Sequence, residues 1–157
     1  LIEFLFATGC RVSEVMNCNI EDLNFNENTL RVVGKGDKER IVCFSDKTKV
    51  YLKKYIDEER RKDNDPALFV SEKFPYNRLS KRGIELIVHN VAEKSEINKS
   101  VYPHLLRHTM ATLGLRNGAD LVTIQHLLGH TDPATTEIYA ETSMENIKYE
   151  YNQHMNC

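Results

Sequence analysis

The stretch over residues 103–139 constrains the fold most, because its prolines and glycines divide it into three short helical segments. Pro103 suits the first position of a helix, and Gly118 suits a left-handed residue just beyond its end. Asp120 can then cap a second helix, which Gly129 ends. Connections this short predict a compact helical unit in which the polar side chains have little freedom of direction.

The first of these helices gathers polar residues on one face. His104, Arg107 and His108 fall at positions i, i+3 and i+4, which lie on the same side of a helix. His130 follows the second helix directly, and Tyr139 lies about two turns into the third segment. The polar face can therefore meet a ligand while the opposite, apolar side packs.

The rest of the chain predicts further helices around a small sheet. Strands are predicted at residues 29–33 and 39–44, joined by a glycine-containing hairpin, and a third strand at residues 67–70, with 20–28 as a loop. Helices are predicted at residues 1–8 and 47–61, and after Ser80, where Ile84, Ile87, Val88 and Val91 form an apolar stripe. The expected fold class is α+β, mainly α-helical, with a small three-stranded antiparallel sheet.

Size and composition favour one ordinary globular domain. The chain has 157 residues, of which 41% are hydrophobic and 28% charged, which is enough for a single core over residues 1–157. No apolar run reaches the length of a membrane span and no signal peptide precedes the first helix, so we expect a cytoplasmic protein without a membrane partner. The four cysteines lack CxxC spacing, which indicates reduced thiols rather than disulfides.

Charge is distributed unevenly along the chain. The net charge is only −2, but residues 31–62 contain eleven Lys or Arg against six Asp or Glu. Such a local excess of positive charge could face a phosphate backbone. The alternative, a solvated helix face whose charges pair along the chain, is equally open for residues 53–62.

Two basic residues stand at breaks in the predicted elements. Arg11 follows the break at Gly9, and Lys35 lies at the glycine-flanked tip of the hairpin. An arginine at such a junction is either a structural ion-pair partner or an anion clamp, and the structural role is the commoner one. A lysine at a mobile tip can reach a groove or deliver a proton, although the GKG sequence alone more often marks a soluble turn.

Six residues in order carry a resemblance to a known family. The motifs are TGCRVSE, VVGKGDKERIV, HLLRHTMAT, LLGH and TTEIYAE, and they contain Arg11, Lys35, His104, Arg107, His130 and Tyr139. Over nearly its whole length the chain resembles the tyrosine recombinases, the phage-integrase family of DNA-breaking and joining enzymes. The resemblance implies the catalytic-domain fold of that family and a site-specific recombinase or integrase that cuts and rejoins DNA strands through a 3′-phosphotyrosine.

The resemblance also implies partners. Double-stranded DNA would be the substrate, and four subunits would assemble on it, with weak or no self-association in its absence. In this family an N-terminal helical domain closes the other half of a clamp around DNA, and we expect that domain to be missing from these 157 residues.

The chemistry of DNA cleavage explains why these residue types are needed. A phosphodiester attacked by an oxygen gains negative charge on its non-bridging oxygens, and guanidiniums bind such oxygens in a fork. By resemblance the catalytic roles are Arg11 and Arg107 as phosphate ligands, His104 as acid or base, His130 as a donor, Lys35 as the acid for the departing 5′ oxygen, and Tyr139 as nucleophile. No metal, cofactor or ATP is then required.

Supporting roles are expected for four further residues. The resemblance implies that Glu14 orients the site, and His108 could do so too, although a histidine that packs between helices is equally open. Lys38 and Arg40 are expected to contact DNA together with Lys35. A capping box at Thr142 and Glu145 predicts a last helix at about residues 143–153, a tail too short to be stable alone that should dock on its own domain or a neighbour.

Three other readings of the sequence remain. Type IB topoisomerases share the tyrosine nucleophile, and a non-catalytic DNA-binding module could also contain a helix, turn and helix. The pairs His104/His108 and His126/His130 have the i, i+4 spacing that can bind zinc. Neither pair has the glutamate of HExxH, so we expect no metal site.

Overall fold

The structure is a computed structural model that describes residues 1–34, 36–60, 65–95, 97, 99–129 and 144–155. Its helices are α1 (Ile2–Thr8), α2 (Val12–Asn17), α3 (Asp46–Lys54), α4 (Lys81–Lys94), α5 (Pro103–Arg116), α6 (Leu121–Leu128) and α7 (Met144–His154). Among these described helices, none combines the length and apolar character needed to cross a bilayer.

The helices begin and end where local chemistry predicts. The Ser80 side chain accepts a hydrogen bond from the Gly83 amide at the start of α4. The Asp120 side chain accepts hydrogen bonds from two backbone amides at the start of α6. Pro103 is the first residue of α5. Gly129 ends α6 with φ +61°, a left-handed conformation that glycine adopts without strain.

The predicted three-stranded antiparallel sheet is confirmed, but its third strand is not the predicted one. The strands are β1 (Leu23–Asn24), β2 (Thr29–Val33) and β3 (Glu39–Cys43), in the order β1-β2-β3. Residues 67–70 form only isolated bridges, Asn19 with Ala67 and Val70 with Arg78. The apolar run there is buried as core, so burial produced a strand-like pattern without a ladder.

Two helix predictions also need correction. The helix predicted at residues 47–61 is regular only to Lys54 and continues as a wider π-type turn over Tyr55–Glu59. In α4 the buried residues are Ile84, Val88 and Ala92. Val91, which belongs to the predicted apolar stripe, is exposed. The reason is that only the narrow face at positions i, i+4 and i+8 of α4 packs against the core.

The core consists of two hydrophobic clusters, and the site lies where they adjoin. The first packs α1 to α4 against the sheet, around Phe4, Leu30 and Ile84. The second joins α5, α6 and α7 through Ile124 and Tyr151. The packing of α1 against α5 and of β3 against α6 connects them, and brings residues from both ends of the chain together.

The C-terminal helix α7 docks on its own chain in this structure. Ile147 and Tyr151 are buried, and the Tyr151 hydroxyl donates to the Ala7 carbonyl of α1 at 2.9 Å. Lys148 forms an ion pair with Glu27.

Candidate active site

Three arginine side chains meet at the C-terminal end of α6. The contacts are Arg40 Nε with Leu127 O at 3.0 Å, Arg107 Nη2 with Leu128 O at 2.6 Å, and Arg11 Nη2 with Gly129 O at 3.5 Å. The last carbonyls of a helix have no partner within it and form the negative end of its dipole. Guanidiniums satisfy these carbonyls, and the dipole partly offsets the cost of gathering three positive charges.

Arg107 is the most deeply buried of the three. It lies on α5 with only 4% of its surface exposed, and its second terminal nitrogen donates to the carbonyl of Gly9 at the end of α1. Burial, followed by the positive charge of Arg11, lowers the pKa of Arg107 to about 10. The residue is therefore still charged at neutral pH, and a negative ligand would relieve the repulsion around it.

The buried carboxylate of Glu14 binds two of the arginines, Arg11 and Arg40. It accepts from Arg40 Nη1 at 2.5 Å and Arg40 Nη2 at 2.9 Å, and from Arg11 Nη1 at 3.1 Å. Burial alone would raise the pKa of Glu14, but the hydrogen bonds and charge of Arg40, with those of Arg11, outweigh it and hold the pKa below its ordinary value. Glu14 is thus a carboxylate that orients two guanidiniums.

The position of Arg11 follows from the start of α2. Arg11 is the residue before the helix, and its backbone amide donates to Glu14 Oε2 at 2.7 Å, the reverse half of a capping box. Its side chain is 42% exposed, against 10% for that of Arg40. Arg11 can therefore bind a ligand with donors that Glu14 does not use, whereas Arg40 is turned inward.

Arg11 and Arg107 open into one cleft of about 320 Å³. His104, in the first turn of α5, lines the same cleft and is exposed. The cleft is also lined by Lys81 and Glu85 of α4 and by Tyr102. Among the charged side chains that line it, Arg11, Arg107 and Lys81 outnumber the single carboxylate of Glu85. The cleft therefore has the positive charge and fork-shaped donors that suit a tetrahedral anion such as phosphate.

Of the six residues expected to be catalytic, the structure brings Arg11, His104 and Arg107 into this cleft. The other three, Lys35, His130 and Tyr139, lie outside the described residues.

The residues expected to support the site or contact DNA lie in different surroundings. His108 is exposed one turn beyond His104, and its carbonyl accepts from Thr112 Oγ1 at 2.9 Å. Lys38 is exposed at the end of the hairpin. Arg40, expected to contact DNA, has its guanidinium on Glu14 and Leu127 O, so in this structure it faces the protein interior.

Sequence reasoning missed the cleft residues of α4. Lys81 and Glu85 lie on one face of that helix and line the same cleft as Arg11, but no local pattern indicates which helix packs there. In the described part of the chain, no cluster of three or more His, Cys, Asp or Glu residues could hold a metal ion.

Comparison with known proteins agrees with this geometry. Residues 1–146 match the phage integrase family. The chain belongs to that family. The matched range includes the residues that line the cleft and those of α5 and α6.

Curated members of the family are similar along almost the whole chain. Tyrosine recombinase XerD of Staphylococcus epidermidis is 41% identical in an alignment that covers 98% of this chain and 52% of that protein. Tyrosine recombinase XerC of Lactobacillus delbrueckii subsp. bulgaricus is 38% identical in an alignment that covers 98% of this chain and 53% of that protein. The chain thus spans about half the length of the curated relatives it matches.

Solved structures confirm the predicted fold of the family's catalytic domain. The crystal structure of XerA recombinase superposes with a TM-score of 0.77 at 38% identity, covering 96% of this chain and 55% of that one. XerH site-specific recombinase bound to its difH substrate, a pre-cleavage complex, superposes with a TM-score of 0.70 at 26% identity, covering 94% of this chain and 44% of that one.

Proposed function

We propose that this chain carries the DNA-cleaving and rejoining centre of a site-specific tyrosine recombinase. The observation that carries the proposal is the placement of Arg11 and Arg107 on consecutive carbonyls of one helix end, opening into one cleft with His104. The similarity to tyrosine recombinases named XerD and XerC supports it.

The two arginines would bind the phosphate to be cleaved. Each guanidinium has five N–H donors, and the contacts to Glu14, Gly129, Gly9 and Leu128 use only some of them. The remaining donors can bind the non-bridging oxygens, where charge grows as phosphorus becomes five-coordinate. Because the donors are fixed before DNA arrives, little reorganisation is needed in the transition state.

The remaining steps are assigned to the other predicted residues. The Tyr139 hydroxyl attacks phosphorus, and its proton passes to His104, acting as the base, as the phosphotyrosine bond forms. The bond from phosphorus to the 5′ oxygen breaks at the same time, and Lys35 supplies a proton to that oxygen. His104 acts as acid or base, and His130 donates to a non-bridging oxygen. Reversal of these steps onto another 5′ hydroxyl rejoins the strand without metal or ATP.

The partners in this proposal are double-stranded DNA and further copies of the protein, four of them on DNA. XerH, one of the structural relatives, is bound to a DNA substrate in its crystal structure. Lys38, exposed beside the hairpin tip, is a proposed phosphate contact. A cytoplasmic location belongs to the proposal, since the free, buried cysteines Cys10, Cys18 and Cys43 are typical of a reducing compartment.

The proposal is tested with the complete protein and a nicked suicide DNA substrate, in buffer with EDTA and without ATP. We expect a covalent protein–DNA adduct that Tyr139→Phe abolishes while DNA binding persists. Tyr149→Phe is the matched control, because Tyr149 is 63% exposed on α7, and it should form adducts as the wild type does. Adducts that persist in Tyr139→Phe would contradict the assignment of the nucleophile. Relaxation of supercoils without exchange between two duplexes would indicate a topoisomerase.

A further inference from the structure

Arg40 is the third arginine at the end of α6, and it does not line the cleft. We propose that Arg40 is a positioning residue, which holds Arg11 and Arg107 in their phosphate-binding directions through Glu14 and the backbone of residues 127–129. This inference rests on the proposed function, because it takes those two arginines to be the phosphate ligands.

The first link runs through Glu14. Arg40 binds both carboxylate oxygens, Oε1 at 2.5 Å and Oε2 at 2.9 Å, the paired geometry in which guanidinium and carboxylate interact most strongly. Arg11 shares Oε1 at 3.1 Å. With Arg40 in place the charge of Glu14 is already matched, and Arg11 stays available to a second anion. Without Arg40, the buried carboxylate would have Arg11 as its remaining arginine partner. It would then pull the Arg11 guanidinium toward itself and out of alignment with a phosphate that Arg11 still contacts.

The second link runs through the end of α6. Arg40 Nε donates to Leu127 O at 3.0 Å, next to the two carbonyls that anchor Arg107 and Arg11. A Cβ atom on Gly129 would lie 3.0 Å from Arg40 Cζ, Nε and Nη1, so the guanidinium packs directly against this turn. Any shift of residues 127–129 would therefore displace the carbonyls that Arg107 and Arg11 contact.

The chemistry of the contact requires arginine rather than a positive charge alone. One planar group reaches two carboxylate oxygens and a carbonyl in three directions. A lysine has a single ammonium on a flexible stem and cannot reproduce that geometry. Arg40→Lys should therefore keep the charge and lose the positioning, whereas a residue that serves only as a DNA phosphate contact would tolerate lysine.

The test compares Arg40→Lys and Arg40→Gln with wild type in the complete protein, on the same suicide substrate. Single-turnover cleavage is measured at saturating DNA, and binding is measured over a range of salt. We expect cleavage to fall by about 10²-fold in both variants, as misplacement of catalytic groups by roughly 1 Å commonly causes. The dependence of affinity on salt should stay that of wild type, since no phosphate contact is lost.

Two control variants separate positioning from general damage. Arg31, on β2, forms exposed ion pairs with Asp22 and Glu39, so Arg31→Gln should cleave as the wild type does. Arg78 binds the carbonyls of Met16 and Cys18 and is not among the residues that line the cleft. Arg78→Gln should lower the melting temperature, but the folded protein, assayed below that temperature, should keep its cleavage rate.

A double-variant cycle asks whether Arg40 acts through Glu14. If it does, Glu14→Gln with Arg40→Gln should cleave no more slowly than the slower single variant, because neighbours in one network are not additive. If the double variant instead loses cleavage rate by the product of the two single-variant losses, Arg40 does not act through Glu14. Cleavage rates of Arg40→Lys and Arg40→Gln within about threefold of wild type would overturn the proposal. A salt slope reduced by about one unit would instead show a DNA contact. If the wild type itself forms no adduct, the proposed function fails first, and this inference with it.

Discussion

Replacement of Arg107 by lysine gives the sharpest single prediction from the site. Arg107 is almost completely buried and spans two carbonyls, Gly9 O and Leu128 O. An ammonium can reach one of them but not both in the same geometry. The variant keeps the charge, so any loss reports on the shape of the guanidinium.

Two magnitudes follow from this geometry. Loss of one charge-assisted hydrogen bond in the core should lower the free energy of unfolding by about 1.5–3 kcal/mol. For a chain of 157 residues that corresponds to a fall in melting temperature of roughly 3–12 °C. Loss of a fork donor to the transition state should reduce the cleavage rate by about 10²–10³-fold, or about 2.7–4 kcal/mol.

The pH profile adds a third signature. Burial, with the charge of Arg11, already lowers the pKa of Arg107 to about 10. An ordinary lysine has a pKa of about 10.4, so the same surroundings should bring the pKa of a lysine there closer to neutrality. The residual activity of Arg107→Lys should therefore fall with rising pH earlier than that of wild type.

The assay is single-turnover cleavage of the suicide substrate, with calorimetry for stability. Arg116→Lys is the matched control, because Arg116 is exposed in the last turn of the same helix and should change neither quantity. A cleavage rate of Arg107→Lys within about fivefold of the wild-type rate would refute the reasoning. The guanidinium fork would then stabilise the transition state by well under the roughly 2.7 kcal/mol expected of one donor.

Two further predictions concern the neighbours of the arginines. The pKa of Glu14 is held below its ordinary value of 4.5, so its ionised form stabilises the fold above that pH, and this contribution is lost as the pH falls through the lowered pKa. Urea unfolding should therefore give a lower free energy of unfolding for Glu14→Gln than for wild type at neutral pH. The difference between the two proteins should become smaller at acid pH, and a difference that does not change with pH would contradict this prediction. Gly129→Ala should lower stability by more than about 1 kcal/mol, because φ is +61° and the new Cβ would press on Arg40. Gly129→Ala should also slow cleavage. Gly118→Ala is the control: it should lower stability, because φ is +99°, but it should not slow cleavage, because Gly118 lies outside the cleft.

The helix ends were predictable from sequence because their causes are local. Ser80, Pro103, Asp120 and Gly129 each act on residues within a turn of themselves. The sheet was predictable as a hairpin for the same reason. The strand predicted at residues 67–70 was wrong. An apolar run that is buried between other elements has the composition of a strand but need not form the hydrogen bonds of one.

The arginine cluster could be predicted only in part. The face of α5 follows from helical spacing, but the convergence of Arg11 and Arg107 depends on packing between elements, and only the resemblance to a family indicated it. The expected DNA contact of Arg40 rests on its place in a basic hairpin. Within the structure its partners are Glu14, 26 residues earlier, and Leu127, 87 residues later. No local pattern contains contacts that distant.

The central claim is that Arg11 and Arg107 bind one and the same phosphate group. It is tested most directly by a crystal structure of this chain with selenate, whose anomalous scattering locates the anion. The account predicts one selenate in the cleft with oxygens within about 3.2 Å of nitrogens of both arginines. Separate anions on the two arginines, or none between them, would contradict it.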